Sequence, residues 1–226
     1  MPYEWGAVEQ GYQDFYAKFA RVAARSGVHP RRLEITTQRS GVGRDAVLKT
    51  PIYLARWSAE AGNPSDRVDI MLTAEFGWDD TSGQQVHSCV TVTYLREDLT
   101  NRRYLPLENL RFDYHPTTDD ASHPLFHAHA FSSQRPDTEP LDLKFPIEWN
   151  QVSDRMRGIR LPVPGMTLPA VLCFLVACHL GPREMSYLLR DAGALFSSMP
   201  GLSVLDAQQE ILARNSFAGY NWYMRS

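Results

Sequence analysis

Large apolar residues recur every three to four positions from residue 4 to residue 26, and polar residues fill the positions between them. This spacing gives one apolar and one polar face to a helix of 3.6 residues per turn. It therefore predicts an amphipathic helix that ends at Gly27, because glycine commonly closes a helix. The apolar positions are Trp5, Val8, Tyr12, Phe15, Phe19 and Val22.

Apolar and polar residues then alternate one by one, which is typical of strands with one buried face. The clearest alternation covers residues 68–78 and predicts a long strand. The turn residues 79–83 predict a hairpin that returns antiparallel along residues 86–95. Other strands are predicted at residues 33–39, 52–61, 110–115 and 123–131, with turns at residues 40–44 and 99–104.

The pattern changes after residue 131. Residues 132–146 contain three prolines and predict a surface loop. An almost wholly apolar stretch, residues 168–180, predicts a buried helix with Thr167 as its N-cap. Gly181-Pro182 ends this helix and begins another that runs to about Ser198. A last helix is predicted over residues 204–216.

This order of elements predicts an α+β fold, because strands and helices are segregated along the chain. We expect an N-terminal helix, an antiparallel meander sheet of about five or six strands, and a packet of two or three C-terminal helices. The chain is predicted to form a single domain, 1–226. It comprises the helix and sheet at 1–131, a proline-rich connection at 132–165 and the helical part at 166–226. Because helix 168–180 has almost no polar face, it lies centrally or under another subunit, and a homo-oligomer or protein partner is expected.

Composition is that of an ordinary globular protein: 43% of the 226 residues are hydrophobic, and the formal net charge is −3. The chain therefore has no overall basic excess for nucleic acid. The three cysteines form no paired framework, which favours a reducing environment. No secretory signal and no apolar run long enough to span a bilayer are found, so we expect a cytoplasmic protein without membrane contact.

Histidines are concentrated in one part of the chain, where four of the seven fall between residues 115 and 129. On extended strands, Arg111, Asp113 and His115 share one side. His127 and His129 likewise share a side of their own strand, together with His123. Antiparallel pairing of the two strands would bring a carboxylate and several imidazoles together.

Such a cluster predicts a divalent metal site as the candidate cofactor site, because neutral imidazole and carboxylate are metal ligands. A catalytic base would then come from Asp119 or His123. The favoured alternative is a polar sheet face whose histidines are hydrogen-bonded, because no motif completes the ligand set. The candidate ligands are Asp113, His115, His127 and His129.

The same residues carry a resemblance over about twenty positions. Phe112-Asp113-Tyr114-His115-Pro116, followed by His123-Pro124 and His127-x-His129, resembles a pattern in bacterial proteins of unknown function. Those proteins are often encoded near toxin–antitoxin, restriction or other phage-defence genes. The resemblance implies a bacterial accessory or defence role, with Asp113, His123, His127 and His129 as the matching positions.

A second candidate surface is basic and lies around the first helix and strand. Arginines spread in this way contact phosphates and supply non-specific affinity for nucleic acid. In a chain that is acidic overall, a solvated face is the favoured interpretation. The residues are Arg21, Arg25, Arg31, Arg32, Arg39 and Arg44.

Two functional hypotheses follow. The first is a cytoplasmic bacterial accessory or interaction protein, of a phage-defence or toxin–antitoxin system, that acts through a protein partner. The second is a metal-dependent hydrolase that acts on a phosphodiester or nucleotide through the Asp/His cluster. No serine elbow, phosphate-binding loop or dinucleotide fingerprint occurs that would name another reaction.

Overall fold

A computed structural model of the chain describes residues 5–27, 30, 33–40, 43–48, 51–58, 67–79, 85–114, 126–131, 143–149, 160–162 and 168–198. The predicted helix at residues 204–216 lies outside this range. The elements are α1 (Trp5–Arg25), β1 (Ile35–Ser40), β2 (Gly43–Leu48), β3 (Ile52–Ser58), β4 (Arg67–Asp79), β5 (Gln85–Asp98), β6 (Arg103–Tyr114), β7 (Phe126–Phe131), β8 (Arg160–Pro162), α2 (Leu168–Leu175) with a π-helical turn (Val176–Leu180), and α3 (Pro182–Ser198).

The α+β class is confirmed, as are the predicted α1, the β4–β5 hairpin and the start of α3 at Pro182. The strand count differs, because the described residues form eight strands rather than five or six. Strand β2 was not predicted, because its first two residues fall in the predicted turn 40–44 and no element was predicted for residues 45–48. Its hydrogen bonds to β1 and β4 make it a strand.

All strand pairs are antiparallel, and the order is β1-β2-β4-β5-β6-β7-β8. The order departs from a simple meander at β3, which also pairs with β4. Strand β2 pairs with residues 75–79 of β4, while β3 pairs with residues 67–72. The two short strands therefore lie end to end along one edge of β4, which is long enough to hold both.

The inner face of the sheet packs against the helices. Leu72 and Phe76 of β4 share this face because side chains alternate along a strand. Tyr12 of α1 lies over Phe76, with ring centroids 5.5 Å apart, and Phe19 stacks on Trp57 of β3 at 6.0 Å. These residues belong to one buried cluster that also includes most of α2.

The outer face carries a second, smaller core. Met71 and Leu95 pack there with Tyr104 and with Phe145 from residues 143–149. That segment is hydrogen-bonded to β6, since the Tyr104 N–H donates to the Pro146 carbonyl at 2.8 Å. Part of the predicted proline-rich connection thus packs on the outer face of the sheet beside Met71, Leu95 and Tyr104.

The helix predicted at residues 168–180 is buried along most of its length but changes to a π-helical turn after Leu175. The Gly181 N–H donates to the Val176 carbonyl, five residues back, at 3.0 Å. This turn buries His179, whose Nε2 lies 3.0 Å from the Tyr94 hydroxyl, and leaves Cys178 exposed. Gly181 has φ of 102°, a value that favours glycine, and allows the chain to enter α3.

We expect Leu72→Ala to lower the free energy of unfolding by about 2–5 kcal/mol, because the side chain is fully buried under the helices. Denaturant melts measure the loss. Leu107→Ala is the matched control, since it removes the same atoms from a side chain that is 45% exposed on β6, and should change stability by less than about 0.5 kcal/mol. Equal small losses in both variants would contradict the position of this core.

Candidate functional site

Strands β6 and β7 bring predicted site residues into register. Antiparallel pairing places Asp113 opposite His127, and Arg111 opposite His129. On the next strand, β8, Arg160 lies opposite His129, so Arg111, His129 and Arg160 form a row across three strands. Because directly opposite residues share a face, these positions lie together on the outer face of the sheet. The strand pairing expected from the alternation is present, while metal binding remains a prediction.

The Asp113 carboxylate is buried, with 5% of the residue exposed. Arg111 Nε donates to Asp113 Oδ1 at 2.8 Å. The pKa of Arg111 is raised: burial opposes the rise, but Cys89 and Asp113 together outweigh it. Asp113 is therefore held in a charged pair, and removing its partner would leave a costly buried charge.

Two neighbours of Asp113 were not predicted as site residues. Cys89 lies directly opposite Asp113, and Glu75 lies opposite Cys89 on the next strand. Burial, and then the charge of Asp113, raises the pKa of the Cys89 thiol to about 12. Cys89 is therefore protonated at neutral pH and is not a nucleophile, since thiolate is the reactive form.

His87, which was not part of the predicted cluster, lies two residues before Cys89 on β5. His87 pairs with Gly77, which in turn pairs with Asp45. A Cβ atom added at Gly77 would lie 2.2 Å from His87 Cε1 and 3.1 Å from Asp45 Oδ1. Glycine at this position therefore leaves room for the imidazole, which lies over the backbone of β4.

The remaining candidates fall outside the described residues. His115, Asp119 and His123 lie between β6 and β7, and for His127 and His129 only the backbone positions are described. Among the described residues, no three His, Cys, Asp or Glu side chains are close enough together to hold a metal ion. For Asp113, the guanidinium beside it competes with a cation for the same oxygen, so this donor fits a metal poorly.

The structure divides the predicted basic region. Arg21 and Arg25 are exposed on α1, and Arg39 pairs with Arg44 across the β1–β2 hairpin. Arg31 and Arg32 lie outside the described residues.

Arg25 instead meets two arginines of α3 around the ring of Tyr187. The guanidinium carbons of Arg25, Arg190 and Arg183 lie 4.6, 5.2 and 5.7 Å from the ring centroid. Arg183 Nε also donates to the Tyr187 hydroxyl at 3.2 Å, and this hydrogen bond and the arginine charges lower the pKa of Tyr187. We call these four residues the arginine–tyrosine cluster.

Comparison with protein-family models, curated proteins and solved structures finds no match to the chain. Within the parts of the chain that the structure describes, no helix is both long and apolar enough to cross a membrane. Functional assignment consequently depends on the geometry of the chain's own residues.

The cysteines provide a direct test of this geometry. At pH 8 we expect iodoacetamide to alkylate Cys178 before Cys89 and Cys173, because Cys178 is exposed. Burial raises the pKa of all three thiols, to about 12 for Cys89 and to about 11 for Cys173. Peptide mass spectrometry over time measures each rate, and protein unfolded in urea is the control in which the three rates converge. Early labelling of Cys89 in folded protein would contradict its protonated, half-buried state.

Proposed function

We propose that the protein is a cytoplasmic bacterial accessory or interaction protein, of a phage-defence or toxin–antitoxin system, that works by binding a protein partner rather than by catalysis. The observation that supports this proposal is the arginine–tyrosine cluster on the surface of the helical layer. Arginine and tyrosine are enriched at protein interfaces and dominate their binding energy.

The charge of the cluster defines the partner surface. Arg190 pairs with Asp191 at 3.2 Å, and Glu184 lies near Arg183. Among the described residues, Arg25 has no carboxylate at ion-pair distance. The cluster thus keeps a local positive charge on a chain whose net charge is −3. An acidic partner surface is complementary to it.

The site on β6 also favours binding over catalysis. Hydrolysis requires a carboxylate that water and substrate can reach, whereas Asp113 is buried and paired with Arg111. Cys89, the nearest thiol, is protonated. The described part of this site therefore offers neither an accessible base nor a nucleophile.

The second candidate is a metal-dependent hydrolase that acts on a phosphodiester or nucleotide. It is favoured by one observation, the register that sets Asp113 opposite His127 and Arg111 opposite His129. In that case the ligands would be Asp113, His115, His127 and His129, with Asp119 or His123 as base.

Charge reversal tests the first proposal. We expect the doubly substituted Arg183→Glu/Arg190→Glu protein to lose an interacting protein that the wild-type chain captures from its own cells, because the acidic partner would be repelled. Quantitative mass spectrometry of captured proteins measures the loss. Arg96→Glu is the matched control, since Arg96 is an exposed arginine on β5. Identical captured proteins for wild type, control and double variant would contradict the proposal.

Elemental analysis and thermal melting of His127→Ala and His129→Ala separate the two candidates. If the row is structural, we expect wild-type protein without stoichiometric metal, and variants destabilised by about 1–3 kcal/mol through unpaired polar groups. Stoichiometric metal that both variants lose, and that wild type releases as pH falls through about 6.5, would establish the metal site instead, because imidazole must be neutral to bind.

A further inference from the structure

A cavity of about 520 Å³ lies between the end of α1 and the ends of β3, β4 and β5. Its volume is in the range of about 300–1,000 Å³ that small-molecule sites occupy. It is distant along the strands from Asp113 and shares no residue with the arginine–tyrosine cluster. The residues that line it are Ser26, Gly27, Arg56, Arg67, Asp69, Leu95 and Glu97.

The Asp69 carboxylate forms a negative wall of this cavity. Asp69 is only 7% exposed. Its Oδ2 accepts from the Tyr53 hydroxyl at 2.7 Å, and its Oδ1 accepts from the Arg56 backbone N–H at 2.6 Å. Among the described residues, no cationic group forms an ion pair with it. A buried carboxylate held by neutral donors alone remains able to attract a cation.

The backbone around Asp69 is shaped to hold this carboxylate in place. The β3–β4 register shifts between Leu54 and Trp57, and Arg56 within this bulge has φ of 59°. That conformation is unfavourable for a residue other than glycine and often marks a functional position. Burial, and then hydrogen bonds with Tyr104 and Asp69, raise the pKa of Tyr53, so its hydroxyl stays a donor.

The cavity carries both signs of charge. Glu97 adds a second carboxylate, but its Oε1 already accepts from Lys144 Nζ at 3.0 Å. The C-terminal end of α1 at Ser26 and Gly27 contributes the negative end of a helix dipole. Arg56 and Arg67 are exposed residues that also line the cavity, so it has cationic as well as anionic side chains around it. Arg67 Nη1 also donates to the Arg56 carbonyl at 3.1 Å, which ties the two residues together.

We propose that this cavity binds a small zwitterion, with its ammonium group against Asp69 and its carboxylate or phosphate group against Arg56 and Arg67. Guanidinium binds either anion through paired hydrogen bonds. Leu95 is the only apolar side chain among the described lining residues, so charged and polar groups make most of the contacts to the ligand. The ligand class is an α-amino acid or an amino-alkyl phosphate.

Isothermal titration with defined probes tests the charge pattern. The zwitterions are the common L-amino acids and O-phosphoethanolamine, which distinguish a carboxylate from a phosphate. Ethanolamine supplies the ammonium group alone, while acetate and inorganic phosphate supply the anion alone. We expect at least one zwitterion to bind at least about tenfold more tightly than its single-charge probes, a difference of one decade in Kd. Absence of zwitterion binding, or equal binding of a single-charge probe, would overturn the proposal.

Two variants then locate the site. Arg67→Ala and Asp69→Asn change one charge each, and both should weaken binding of the best zwitterion by about tenfold or more. Arg96→Ala is the control, because Arg96 is exposed and does not line the cavity. Thermal melts of all variants check folding. Binding that is unchanged in both cavity variants would place the ligand elsewhere and overturn the assignment.

Discussion

Strand β4 carries a buried core on each of its two faces, and the rest of the sheet is attached to its edges. Leu72 points to the layer of helices, while the adjacent Met71 packs in the outer core with Phe145. Burial on both sides removes more apolar surface than one core alone could. The thirteen residues of β4 also allow β2 and β3 to share one edge. The helical layer and the segment 143–149 therefore both pack against β4, on opposite faces.

The parts of the fold that were predictable are those in which local pattern and tertiary packing agree. Strict alternation predicted β4 and its return strand β5, and the three-to-four spacing predicted α1. Strand β2 was missed because it begins inside the predicted turn 40–44, and its pairing with β4 joins residues that are far apart in the sequence. The π-helical turn was missed because an apolar stretch does not distinguish a π-helix from an α-helix. The burial of His179, which depends on this turn, could therefore not be predicted from the sequence.

For the polar residues of the candidate sites, too, the sequence pattern predicted strand faces but not contacts between distant segments. Period-two spacing placed Asp113 and His127 on strand faces, and the antiparallel pairing made them neighbours. It could not assign Cys89 to the same row, because alternation gives a face but not the register of the next strand. Arg25 and Arg183 meet only because α1 packs on α3, and no sequence spacing connects them.

Asp69 and Asp113, the buried carboxylates among the described residues of the outer face, illustrate why position alone does not define a site. Asp113 is neutralised by Arg111 at 2.8 Å, so the cost of burying its charge is offset within the fold. Asp69 is held by a tyrosine hydroxyl and a backbone N–H, which orient the carboxylate without cancelling its charge. An incoming cation would therefore gain more at Asp69 than at Asp113. Asp113, which the histidine pattern pointed to, already has a cationic partner. Asp69, which lines the cavity, has no such partner among the described residues.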